Sequence, residues 1–267
     1  MTDRALLVGI NAYPGQPLNG CVNDVDDMAA YLVKDRGFAP GAITFLKDGQ
    51  ATTAKIVAGL KALVTGLKAG DRVVFHYSGH GTQMPSYSGT EVDGLDEVIC
   101  PVDFDWTDAH ALRDKQFHAI LSAVPAGVEF MWISDSCHSG DLQRAVLRGP
   151  ILRRDRFYIP PPAIRAQIDA ARIRGVRVSH LPKAATDLNV ALLAGCRSDQ
   201  TSADASIDGR WSGAFTYFLL VSLRAGKKSP LKSRLRSAVL RLHKAQYDQT
   251  PQLAAPNEVA GRPFAAA

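Results

Sequence analysis

Residues 130–140 read FMWISDSCHSG. An apolar run stops abruptly at small polar residues, and a cysteine follows, flanked by serines and a histidine. The run Glu129–Ser134 has the length and composition of a buried strand, so Cys137 falls where such a strand ends. Similar runs occur on both sides of it: Ala5–Ile10 (ALLVGI), Ile43–Leu46, Arg72–Tyr77 (RVVFHY), Val98–Val102 and Val190–Cys196. Segments of helical period lie between and after them, at Asp24–Arg36, Thr53–Leu67, Gln116–Val124, Gly213–Leu223 and Leu231–Tyr247. Thr52 or Thr53 suits an N-cap for the second helix, and Gly37 a C-terminal stop for the first. Continuous β-branched runs separated by helices predict an α/β fold, a mostly parallel sheet with helices on both faces.

The chain has 267 residues, 46% hydrophobic and 21% charged, enough for one large α/β domain. It offers no stretch near the roughly 18 apolar residues of a membrane span, and its start shows no signal-peptide pattern. A cytoplasmic protein is expected. Four cysteines (Cys21, Cys100, Cys137, Cys196) lie far apart with no metal-ligand spacing, so each thiol is judged singly. Net charge is +5, unevenly spread. Residues 144–177 hold nine Arg against two Asp, and residues 224–244 hold eight Lys or Arg and no acid. The rest is acidic, which argues against a general nucleic-acid surface. The helix 231–247 carries an apolar stripe (Leu231, Leu235, Val239, Leu242), as expected of a helix packed on the sheet with a solvated basic face.

Between Asp141 and Asp187 the alternation fails. Arginines and the run Pro160–Pro162 leave no strand signal, and a loop this long is usually functional or disordered. One domain is expected, in three parts: residues 1–140, an Arg/Pro-rich loop over 141–187, and a smaller rear part over 188–267.

In an open parallel sheet, ligands bind beyond the carboxyl ends of the strands. NGCVND (19–24), HYSGHG (76–81) and DSCHSG (135–140) all follow strands toward that edge. A thiol near its usual pKa of about 8.5 needs a base or cation beside it to react as thiolate. His80, between Gly79 and Gly81, is the base candidate. The Gly81 and Cys137 N–H groups are candidate donors to a developing oxyanion. His138 is adjacent to Cys137, so its side chain points away, and His76 sits inside its strand. A lone cysteine at a strand end is usually structural; a cysteine and a histidine at two neighbouring strand ends make a nucleophile and its base.

HYSGHGTQ followed by DSCHSG resembles the His and Cys motifs of the metacaspases, which are caspase-like cysteine peptidases. The likeness extends to ALLVGINAYPGQPLNGCVND, DEVICPVDF (96–104), LLAGCRSDQTSADASIDGRWSGAFTYFLL (192–220) and QTPQL (249–253). It implies the caspase-like (caspase-hemoglobinase) fold, His80 as general base and acid, Cys137 as nucleophile, and protein or peptide substrates. It also implies cleavage after Arg or Lys, because Asp24, Asp135, Ser78 and Cys21 match the lining of the S1 pocket, which holds the side chain before the cut. Carboxylates in such a pocket favour a cation. Self-cleavage is then expected in the loop, at Arg144, Arg148, Arg153, Arg154 or Arg156. Many members bind calcium through aspartates. Asp96 and Asp114 match two of those positions, but Arg113 and Arg144 stand at the other two and repel a cation. No cofactor is expected to be required, and calcium is disfavoured. A monomer is expected. The competing functions are a non-catalytic scaffold and a peptidase preferring an acidic residue before the cut.

Overall fold

A computed structural model describes residues 1–86, 94–138, 153–174, 188–226 and 228–263. Its centre is a six-stranded sheet. Five strands run parallel: β1 (Asp3–Gly9), β2 (Ile43–Lys47), β3 (Arg72–Ser78), β7 (Glu129–Asp135) and β9 (Val190–Ala194). A short antiparallel strand, β12 (Gln252–Ala254), closes the edge beyond β9. The order across the sheet is β12-β9-β7-β3-β1-β2. Every residue of β3 is buried, as a strand covered on both faces must be.

Two cores flank this sheet. One face packs Val8, Phe75, Phe130 and Trp132 against α2 (Thr53–Val64) and α3 (Asp114–Leu121). The other packs Leu7, Val74, Met131 and Leu193 against α1 (Cys21–Arg36), α5 (Ala214–Ala225) and α6 (Leu231–Lys244). The helix ends follow local chemistry. Thr52 caps α2, its hydroxyl accepting the Lys55 N–H at 3.4 Å, and Gly37 ends α1 in the left-handed region at φ 73°. Leu231, Leu235 and Leu242 of α6 are buried as the stripe predicts.

Two small antiparallel sheets lie at the carboxyl edge. One joins β4 (Gly81–Pro85), β5 (Leu95–Ile99) and β6 (Leu112–Arg113). The strand expected at Val98–Val102 thus begins earlier and stops before Pro101, which has no N–H for a ladder. The other joins β8 (Arg153–Asp155), β10 (Ala203–Ile207) and β11 (Arg210–Gly213). The β10–β11 hairpin turns through Asp208 and Gly209, both at positive φ (51° and 80°), a pairing that Asp-Gly favours.

The described part of the Arg/Pro-rich segment holds regular elements. Besides β8 it contains α4 (Pro162–Arg174). The proline run forbids a strand but suits a helix start, since Pro at the first position lacks only an N–H that would be unbonded there. Ile168 and Ala171 of α4 pack on Leu95 of β5. Residues 139–152 and 175–187, with Arg144 and Arg148, lie outside the described residues. Among the described residues, no helix is long and apolar enough to cross a membrane. The four cysteines are free and buried.

Candidate active site

Parallel pairing in register brings the motifs together. Ser78 and Asp135 face each other across the last rung of β3 and β7, and Gly9 faces Ser78 from β1. His80 and Cys137 each lie two residues past those ends. Gly81 permits the approach, because a Cβ there would stand 2.5 Å from the Cys137 carbonyl oxygen.

His80 is almost fully buried, packed against the rings of Tyr13 at 4.6 Å and Tyr158 at 5.3 Å. Its Nε2 lies 2.8 Å from the Gln16 carbonyl, so Nε2 carries the proton and donates. Nδ1 is left without a hydrogen-bond partner among the described residues, the atom suited to take a proton from a thiol. Its backbone N–H donates to the Tyr13 hydroxyl at 3.1 Å. Burial pushes the imidazole down to about 4, against the opposing pull of the Gln16 and Arg156 backbone. Burial likewise pushes the Cys137 thiol up, opposed by the backbone at Ser202. Both groups are therefore neutral at pH 7 in this state.

The Asp24, Asp135, Ser78 and Cys21 expected to line one pocket do converge, and the guanidinium of Arg156 sits among them, wholly buried. Its Nη2 donates to Asp24 at 2.7 Å and to Asp204 at 3.1 Å. Its Nη1 donates to the Ser78 hydroxyl at 2.7 Å and lies 3.3 Å from an Asp135 carboxylate oxygen. Ser78 in turn donates to Asp24 at 2.7 Å. Asp135 is held by the Ser202 hydroxyl at 2.6 Å and by the Thr216 hydroxyl and N–H at 2.7 and 2.9 Å. Gly213 donates its N–H to Asp24 at 2.8 Å, and a side chain on it would strike Asp135 and Arg156.

Burial disfavours the Arg156 charge, but Asp135, Cys21, Asp24 and Asp204 outweigh it and hold the guanidinium protonated. Asp24 is raised to about 6, by burial first and by Asp135, with Arg156 pulling it back. Three carboxylates face one cation, so the pocket is built for positive charge. The third, Asp204, was not singled out in the sequence. It lies on β10 and is anchored by the N–H groups of Asn19 and Gly20 at 2.8 and 2.9 Å. The Asp208–Gly209 pair, a hairpin turn signal, could have revealed the strands that carry it.

The backbone of Arg156 is also engaged. Its carbonyl oxygen accepts the N–H of Gly81 at 3.0 Å and that of Cys137 at 3.3 Å. These are the two donors expected of an oxyanion site. The remaining sequence candidates lie apart. Arg153 and Arg154 sit on β8, the latter donating to the Pro17 carbonyl. Asp96 is gripped by Arg113 at 2.6 Å and Lys115 at 2.8 Å, and Asp114 heads α3. His138 points its Nε2 toward Glu97 at 3.9 Å.

Residues 3–145 match the family model described as metacaspase, peptidase C14 domain. The chain belongs to the metacaspase family. It is 34% identical to Metacaspase-1 of Coccidioides immitis and to Metacaspase-1 of Emericella nidulans, each over 94% of this chain. It spans 60% of the first protein's length and 69% of the second's. A solved structure of a Geobacter sulfurreducens protein matches with a TM-score of 0.71 at 31% identity, covering 100% of this chain and 99% of that one. Caspase-1 from Spodoptera frugiperda matches with a TM-score of 0.57 at 12% identity, over 95% of this chain and 86% of that one, and shares the fold. This metacaspase-family chain thus has the caspase-like α/β architecture.

Proposed function

We propose that this metacaspase-family protein is a cysteine endopeptidase that cleaves peptide bonds after Arg or Lys, with His80 and Cys137 as its dyad. The observation that carries the specificity is a guanidinium buried among Asp24, Asp135 and Asp204, on a residue whose carbonyl accepts the Cys137 N–H. An acidic side chain there would meet three carboxylates with no counter-charge, which disfavours an Asp-directed peptidase. Catalysis follows from the placement of groups. Once substrate shifts the proton from Cys137 to His80 Nδ1, the thiolate attacks the carbonyl carbon. The Gly81 and Cys137 N–H groups bind the oxyanion, and His80 passes its proton to the leaving amine. Water, deprotonated by His80, then releases the acyl group. Asp24, Asp135 and Asp204 orient the substrate by its cation, and the Gln16 carbonyl fixes the imidazole tautomer.

Among the described residues, Asp96 is poorly placed to hold calcium. Both oxygens of Asp96 are taken by the cations of Arg113 and Lys115, leaving it a poor ligand for an ion that prefers six to eight oxygens. We read the peptidase as calcium-independent, monomeric and cytoplasmic, the last in keeping with four unpaired thiols. Self-cleavage within residues 141–187 belongs to the same reading.

The test is hydrolysis of matched fluorogenic peptides ending in Arg, Lys or Asp, by wild type and by Cys137→Ala. Release after Arg and Lys that disappears in Cys137→Ala is the expected outcome. Release only after Asp would overturn the pocket assignment, and release unaffected by Cys137→Ala would overturn the nucleophile.

A further inference from the structure

The basic tract near the end of the chain has no part in the site, and the fold gathers it on one face. Helix α6 buries Leu231, Leu235, Ala238 and Leu242 and leaves its opposite side in solvent. Residues four apart lie one above another on a helix. Lys232, Arg236, Leu240 and Lys244 therefore form a single row about 18 Å long, and all four are exposed. Leu240 is 63% exposed, more than any other large apolar side chain among the described residues except Met1. Several surface cations nearby in the fold are paired: Arg210 with Asp27 and Arg224 with Asp35. Lys232, Arg236, Arg241 and Lys244 pair with no carboxylate among the described residues, and α6 itself carries no acid. The helix dipole accounts for only one end of the row. A cation suits the last turn, where Lys244 lies, and is disfavoured in the first turn, where Lys232 lies with no acid beside it. Neither the dipole nor the core accounts for a leucine held in solvent between two cations.

We propose that this ridge docks the protein on an anionic lipid bilayer, with Leu240 inserted among the headgroups and Lys232, Arg236, Arg241 and Lys244 on the acidic groups around it. The chemistry of the row chooses the partner. Acidic headgroups attract Lys and Arg within a Debye length, and the acyl boundary beneath them takes a leucine. The long stems of Lys and Arg let their charges rise to the headgroups while the leucine sits deeper. A nucleic-acid backbone would meet the cations but leave Leu240 against phosphates. A stable protein complex buries about 800 Å² on each partner, more than one helix ridge supplies. Leu242 packs on Ala203 and Ala205 of β10 from the opposite side of α6, so the docked face turns away from the strand that carries Asp204. The anionic leaflet faces the cytoplasm, in keeping with the location proposed above. The inference goes beyond the peptidase reading and does not rest on it.

Sedimentation of the full chain with vesicles tests this, using phosphatidylcholine alone and phosphatidylcholine with about one-third phosphatidylserine. Wild type should bind the mixed vesicles, bind pure phosphatidylcholine at least about 100-fold more weakly, and lose binding as salt rises. Each cation near such a surface strengthens binding about 5-fold, so Arg236→Gln with Lys244→Gln should weaken it about 25-fold. Leu240→Ser should weaken it roughly 10-fold, as loss of an inserted leucine requires. Lys55→Gln with Lys61→Gln, which removes two exposed cations from α2, should change nothing. All these side chains are exposed, so every variant should keep the melting temperature of wild type. Absence of binding to the mixed vesicles, or equal binding by wild type and Leu240→Ser, overturns the inference. So does an equal loss in the α2 variant, which would make the attraction one of net charge. Tighter binding to duplex RNA or to polyglutamate than to the mixed vesicles also overturns it, assigning the ridge to a nucleic acid or an acidic protein. Cys137→Ala should bind as wild type does, so failure of the docking and failure of the peptidase reading are told apart.

Discussion

Asp24 shows how a side chain at a helix start takes on a second task. A carboxylate in the first turn of α1 suits the helix dipole, yet here it is buried and turned on a guanidinium. Facing it are Arg156, Asp135, the Ser78 hydroxyl and the Gly213 N–H. Its pKa near 6 applies to a pocket holding a cation, and a substrate arginine would replace Arg156 there. The acid limb of kcat should accordingly fall below pH about 6, as Asp24 gains a proton and the pocket loses a negative charge. The limb of kcat/KM, which reports the free enzyme, should lie higher, because an empty pocket lacks the guanidinium that lowers Asp24. Profiles measured on fully cut enzyme check this, and Asp24→Asn should abolish the limb. Persistence of the limb in Asp24→Asn would assign it to another group.

Among elements, the sheet of β4, β5 and β6 holds Asp96 and Arg113, two of the positions compared above with the family's calcium ligands, in an internal ion-pair cluster. Arg113 bridges Asp96 at 2.6 Å and Asp108 at 2.5 Å, while Lys115 takes the other Asp96 oxygen. Asp96 is buried and Asp108 exposed, so the first pair is the one that matters for stability. Arg113→Ala is expected to cost about 1.5–3 kcal/mol, the range for a hydrogen bond to a charged group. Neither calcium nor a chelator should move the wild-type melting temperature or activity. Thermal unfolding and peptide hydrolysis read both, and a loss of activity with chelator would return the metal to the mechanism. The same scale holds what the sequence concealed. β8 is three residues of Arg-Arg-Asp, with no apolar alternation, because it is held by main-chain bonds and one buried guanidinium rather than by a hydrophobic face.

For the molecule as a whole, buried ionisable groups set the acid stability. His76 and His80 are both pushed down to about 4 by burial, so below pH about 6.5 the unfolded chain binds two more protons than the native one. Their contribution is present above 6.5 and lost as pH falls toward 4. Asp24 acts in the opposite sense: raised from 3.8 to about 6, it makes the native chain the better proton binder between those values. One net proton therefore favours the unfolded state from about pH 6 to 4. Stability should fall on acidification there by up to about 1.4 kcal/mol per pH unit. Thermal unfolding of Cys137→Ala between pH 7 and 4.5 measures this, and a melting temperature that rises with acid would contradict the burial of the two imidazoles.

Hydrophobic period alone determined the parallel sheet and its helices, because a buried strand must be apolar on both faces and a covering helix on one. Position past two neighbouring strands also marked His80 and Cys137, and the resemblance to the metacaspases added Asp24, Asp135, Ser78 and Cys21. Only the tertiary structure separates Arg156 from Arg153 and Arg154, the candidate loop arginines among the described residues. Arg153, Arg154 and Arg156 are alike in local sequence, and charge by itself predicts exposure for all of them. What singles out Arg156 is the convergence of Asp24, Asp135 and Asp204, from three distant parts of the chain, on one desolvated point. That sum of fields has no trace in any single stretch of the sequence.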